Sequence, residues 1–275
     1  MTTLTATIRG LTIGAGTPYR FTAWPDVFST AEIRDDDDPM PHDDGVIPGP
    51  DRLGAKRFTL EVDIQGTSPT DAKQFAKALA TAFAPAHEME WLTINIDGEE
   101  FAYRGRCRGV IAGLNRRFLS GTVAERCRFV ATDPLRYGPE QAASIDLSDI
   151  GAGFVLPVIL PAIIDGTTGA GEASVPNDGD HSVPFLATLT GPLGNPRLTH
   201  VETGQFVRVL TTLGAGETAV IDSRLGTVLL GGVARPDLLG AGSTVFRLLP
   251  GPNTLRLTAD TGTGTASITW RSGSA

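Results

Sequence analysis

Apolar and polar residues alternate along most of this chain, the two-residue period of strands with one face on a core. Residues 3–8, 19–24 and 57–64 alternate in this way, and so do 91–96, 100–110, 116–119 and 122–131. Asp97-Gly98 divides two of these runs, and Asp-Gly between alternating segments is a strong hairpin signal. A single segment has helical period: Ala72, Phe75, Ala76, Leu79, Ala80 and Phe83 recur at three- and four-residue intervals. Ser68 can cap it, Pro69 suits its first turn, Asp71 completes a capping-box spacing and Pro85 bounds its end. The pattern predicts a helix over 69–83 packed on an antiparallel sheet.

The stretch from 32 to 54 breaks the alternation. It holds Asp35, Asp36, Asp37, Asp38, Asp43 and Asp44 among four prolines, and reads as a long polar loop, a kind of segment that is usually functional or mobile in a compact domain. After Asp133-Pro134 the patterning weakens. Residues 139–181 are rich in Gly, Pro and small side chains and read as a connector with some strands. From Ser182 onward short apolar runs return at 184–190, 196–201, 206–210, 218–221, 228–230, 244–248, 254–258 and 267–270, nearly all separated by turn residues. That spacing predicts a β-sandwich or jelly roll. The expected fold class is therefore mainly β, with a first domain over 1–138 and a connector plus sandwich over 139–275.

Composition agrees. The chain has 275 residues, 33 Gly and 19 Pro, which suits many short strands joined by tight turns. The longest apolar run, 154–164, is too short to cross a bilayer and contains Pro157 and Pro161. The first ten residues lack a basic and then apolar leader, so no secretory signal is expected. A net charge of −8 argues against general nucleic-acid binding. Cys107 and Cys127, the two cysteines, rule out a disulfide scaffold; they are expected on adjacent strands as buried thiols.

Catalytic patterns are not found. His42, His87, His181 and His200 lack metal-ligand spacing and read as isolated surface or loop residues. Gly179-Asp180-His181-Ser182 holds triad-type residues, but adjacency is not triad geometry. Gly14-Ala15-Gly16 and Gly262-Thr263-Gly264 lack the third glycine of a dinucleotide site and read as turns. The Asp35–Asp38 run lacks the ligand alternation of a calcium loop. We expect no catalytic residues, no cofactor and no metal. One electrostatic feature remains. Arg104, Arg106 and Arg108 would share one face of a strand, with Arg116, Arg117, Arg126 and Arg128 near in sequence and only Glu125 offsetting them locally. A solvated face is the plain reading. The sharper one is a subunit interface in which this ladder meets Asp35, Asp36, Asp37 and Asp38 of a neighbouring copy.

Four local patterns carry a resemblance: Arg128-Phe129-Val130-Ala131-Thr132-Asp133-Pro134 through Gly138; Asn177-Asp178-Gly179 with Leu189-Thr190-Gly191 and Asn195-Pro196-Arg197-Leu198; Gly214-Ala215-Gly216-Glu217 with Ile221-Asp222-Ser223 and Gly226-Thr227-Val228; and Phe246-Arg247-Leu248-Leu249-Pro250-Gly251-Pro252-Asn253. In this order they resemble the siphophage distal tail protein family. The 35–54 loop matches no motif of it. The resemblance implies a split β-barrel like that of tail tube proteins, then a galectin-like sandwich. It implies a six-fold ring at the tail tip, with the tail tube protein and tail-tip hub as partners, and receptor-binding proteins at its periphery. DNA would pass through a central channel without specific binding, no membrane would be involved, and the protein would reside in the virion after assembly in the host cytoplasm. Other readings are a different tail component, a hydrolase, or a carbohydrate-binding module using Phe154, Phe185, Phe206, Phe246 or Trp270, of which Phe206 and Phe246 are expected in the core.

Overall fold

The computed structural model describes residues 3–23, 25–113, 119–147 and 171–275. The apolar run 154–164, with Phe154, and Arg116 and Arg117 fall outside them. The chain divides into two compact units, Met1–Pro139 and Glu140–Ser274.

In the first unit, β1 (Leu4–Ile8), β2 (Leu11–Gly14) and β3 (Tyr19–Phe21) precede four two-residue strands, β4 (Ile33–Arg34), β5 (Asp38–Pro39), β6 (Val46–Ile47) and β7 (Arg52–Leu53). Then come β8 (Lys56–Gln65), α1 (Pro69–Ala82), β9 (Glu90–Ile96), β10 (Glu99–Gly113), β11 (Thr122–Ala131) and the start of β12 (Arg136–Asp146). The main sheet is antiparallel throughout, in the order β2-β1-β9-β10-β11-β8-β3. Its two outer strands, β2 and β3, are joined by the turn at 15–18, where Thr17 N donates to Gly14 O at 3.2 Å. No ladder joins β2 to β3 among the described residues, so the sheet curls into a barrel that stays split. Asp97 and Gly98 take φ of 52° and 95°, the left-handed pair the β9–β10 hairpin requires. Gly105 is required by close approach: a Cβ there would sit 2.1 Å from Val130 O on β11.

Alternate residues of β8 and β11 point inward, among them Phe58, Leu60, Val62, Ile64, Val123, Cys127 and Phe129. Helix α1 lies on β8, β10 and β11 and buries Ala72, Leu79 and Ala82, with Phe83 as its C-cap. Asp71 N donates to Ser68 Oγ at 3.2 Å. Replacing Ser68 by Ala leaves that N–H without its cap and should cost about 1 kcal/mol, measured as a lower urea midpoint of the unit. Cys107 and Cys127 are both buried free thiols, and burial pushes both thiols up.

The second unit contains the rest of β12, then β13 (Gly171–Ser174), β14 (Phe185–Thr190), β15 (Leu193–Gly194), β16 (Arg197–His200), β17 (Phe206–Arg208) and β18 (Thr212–Leu213). It continues with β19 (Thr218–Asp222), β20 (Thr227–Leu230), β21 (Val233–Ala234), β22 (Thr254–Thr258) and β23 (Thr265–Ser274). One sheet runs β12-β23-β14-β19-β20-β21 and the other β13-β22-β16-β17. Between them, Phe246 packs on Phe185 of the first sheet and on His200 of the second, at 5.1 and 5.4 Å between ring centroids. This is a β-sandwich.

Three expectations are corrected here. The run 244–248 is not a strand; only Leu248 bridges to Val183. His200 is not a surface residue: it is 1% exposed, with Nδ1 2.7 Å from Thr203 Oγ1 and Nε2 2.8 Å from Asn253 Oδ1. Phe206 is not in the core. It pairs with Thr199 on the outward side of β16–β17, while the neighbouring Val207 and Leu198 point in. Phe246, Phe185 and Trp270 are buried.

The signature turns of the second unit also have a physical basis. Asn177 Nδ2 donates to His181 O and Leu249 O, and its Oδ1 accepts from Gly179 N and Gly273 N. Asn253 Nδ2 donates to Leu249 O and Gly251 O, and Ser223 Oγ accepts from Phe185 N at 2.6 Å. Each is a buried side chain pairing backbone groups that loops would otherwise leave unpartnered.

Candidate assembly surface

The acidic segment is more ordered than a plain loop. β4 pairs with β7 and β5 with β6, so residues 33–53 form a ribbon that folds back on itself. Gly49 N donates to Asp37 Oδ1 at 2.8 Å. Asp35, Asp36, Asp37 and Asp38 are all exposed. The ribbon also exposes Ile33, Met40, Val46 and Ile47, the last two at 51% and 52%. The stretch from 32 to 54 holds eight acidic residues against two arginines, Arg34 and Arg52, and no lysine. The ribbon thus exposes apolar side chains and strong negative charge together.

Its root is held by a buried cation. Lys56 is 6% exposed. Its Nζ donates to Val27 O at 2.9 Å and Ser29 O at 2.5 Å, and lies 5.2 Å from the ring centroids of both Phe58 and Tyr103. Tyr103 Oη donates to Val27 O at 2.7 Å. Burial lowers the Lys56 pKa and pushes the Tyr103 phenol up to about 12. These contacts clasp residues 27–29, from which the ribbon departs. In the sequence Lys56 is marked only as a lysine at the head of an alternating strand.

Arg104, Arg106 and Arg108 lie on the outward side of β10, opposite the buried Tyr103 and Cys107. Arg104 pairs with Trp91 and Arg106 with Val130. A register shift between Cys107 and Val110 bends the strand just beyond, where Arg128 Nη2 donates to Arg108 O at 3.2 Å. Arg126 and Arg128 of β11 and Arg57 of β8 are exposed on the same sheet. The Nε of Arg106 is buried without a hydrogen-bond partner. Glu125 does not offset this face as expected. The alternation of β11 turns it into the core, 5% exposed, and burial lifts its pKa to about 6. Glu61, 2.9 Å from Arg126, and Glu32, 2.8 Å from Arg57, each pair with an arginine of the basic face.

Among the described residues no group of three His, Cys, Asp or Glu could hold a metal. His181 Nδ1 lies 2.8 Å from Asp180 Oδ1 in an exposed turn. No helix among them is long and apolar enough to cross a membrane.

Residues 178–273 match the profile of the siphovirus-type tail component, C-terminal domain. No curated protein matches the chain in sequence. Among solved structures, the crystal structure of the Dit protein of phage SPP1, described as a hub of the adsorption apparatus, shares 16% identity over 98% of both chains with a TM-score of 0.62. A chain of the phage P2 baseplate, activated with Ca, shares 11% over 98% of both, TM-score 0.59, and its Sr counterpart 9% over the same shares, TM-score 0.57. At these identities the structures establish a common fold. The profile match over 178–273, together with this common fold, supports a structural role in a phage tail. The second unit is similar in sequence to that tail-component domain, and the chain as a whole shares the fold of the SPP1 Dit protein.

Proposed function

We propose that the protein works by assembly and without turnover: six copies close a ring at the distal end of the tail tube. The ring joins the tube protein to the tail-tip hub, anchors peripheral receptor-binding proteins and leaves a channel for DNA. The observation that carries this reading is the split barrel. β2 and β3 each present one unpaired edge among the described residues, and such edges invite pairing with another chain. One repeated contact, propagated by rotation, closes a ring. Net negative charge suits a channel that must not grip phosphate.

The second element of the contact is electrostatic. The ribbon bearing Asp35, Asp36, Asp37 and Asp38 meets the face bearing Arg104, Arg106 and Arg108 on the next copy, and opposite charges set orientation and register. Electron microscopy of the purified protein, alone and with tail tubes, tests the ring directly: six-fold particles with a central hole are expected. The triple change Arg104→Glu, Arg106→Glu and Arg108→Glu should weaken association about 100-fold, equivalent to roughly 3 kcal/mol, measured by sedimentation velocity. Unchanged association would remove the arginine contact from the account. Absence of rings under both conditions would remove the ring itself.

A further inference from the structure

The four-stranded sheet of the second unit, β13-β22-β16-β17, presents a row of arginines on its outward face. Two of its arginines are neutralised. Arg208 Nη2 donates to both oxygens of Asp260, at 3.0 and 2.7 Å, and Arg256 Nε donates to Glu172 at 2.6 Å. Between them lies Arg197, paired in register with Arg208 on one side and Thr258 on the other. Arg197 has no carboxylate among the described residues. Its guanidinium carbon sits 3.7 Å from the Phe206 ring centroid, and its Nε is buried without a hydrogen-bond partner.

Stacking at that distance fixes the guanidinium plane and holds its fork in one orientation before any ligand arrives. A fixed fork flanked by neutralised pairs is suited to one planar, bidentate anion. Beside it, Thr199 and Thr258 offer hydroxyls on the same face. The two ion pairs set donors next to acceptors, the arrangement that vicinal hydroxyls of a sugar can match. Phe206 is thus an outward aromatic that supports the arginine. We infer that this face is a binding site for an acidic saccharide, with Arg197 holding the carboxylate and the flanking polar groups holding the ring hydroxyls. The inference goes beyond the assembly role and does not require the ring to form.

The test uses the full chain and three probes: a galacturonic acid trisaccharide, the neutral galactose trisaccharide, and inorganic polyphosphate, each titrated by calorimetry. The expected result is saturable binding of the galacturonate probe alone. Arg197→Gln should weaken it at least about tenfold, the loss of one charge-assisted contact, with Arg197→Lys falling between. Unchanged thermal midpoints would show that both variants remain folded. The proposal is overturned if galacturonate fails to bind at about 10 mM, a level that reports even very weak sites. It is equally overturned if polyphosphate or the neutral sugar binds as well, or if Arg197→Gln leaves the affinity unchanged.

Discussion

Replacing Lys56 by Ala is expected to destabilise the first unit by about 3 kcal/mol, through a cavity under the ribbon root and a carbonyl left without its donor. The side chain is almost wholly buried, and its ammonium serves Val27 O and Ser29 O while facing two aromatic rings. Tyr103 would still donate to Val27 O, so Ser29 O is the group left unpaired. Burying the charge carries its own cost, which is why the Lys56 pKa is lowered. Lys56→Met keeps the packed stem without that cost and should lose less, about 1 kcal/mol. Both variants should share a second signature: faster amide exchange in residues 25–31, because the clasp is gone in each. Equal urea midpoints for wild type and Lys56→Ala would show that the clasp contributes nothing.

Glu125 predicts the opposite sign. Its carboxyl sits in the core with Oε2 unpartnered, and burial raises its pKa from 4.5 to about 6. The folded state therefore holds this proton more tightly than the unfolded chain. The stability it contributes is complete below about pH 4.5 and is lost as pH rises through about 6. Above that, the folded unit carries a buried charge costing about 2 kcal/mol. Glu125→Gln should raise the stability of the first unit by about 1–2 kcal/mol at pH 7.5 and by almost nothing at pH 4.5. Denaturant midpoints at the two pH values check both magnitude and sign. A variant less stable than wild type at pH 7.5 would mean that the carboxylate is satisfied in solution.

Much of this molecule is written in its periodicities. The two-residue alternation of 57–64 and 122–131 became β8 and β11, and the three- and four-residue spacing after Ser68 became α1. Asp97-Gly98 became a left-handed turn pair. These features are local: a pleat, a helical stripe or a turn needs only neighbouring residues to declare it. What the sequence could not declare depends on strand partners. Glu125 and Arg126 are adjacent, and only the register of β11 against β8 sends one into the core and the other to Glu61. Phe206 and Val207 differ in the same way, because β16 sets which of them faces inward. His200 is buried by contacts with Asn253, 53 residues away, and Lys56 by carbonyls 27 and 29 residues back in the chain. Spacing along a chain fixes the period of each element; which face meets the core, and which charge is left without a partner, is settled only when distant strands come together.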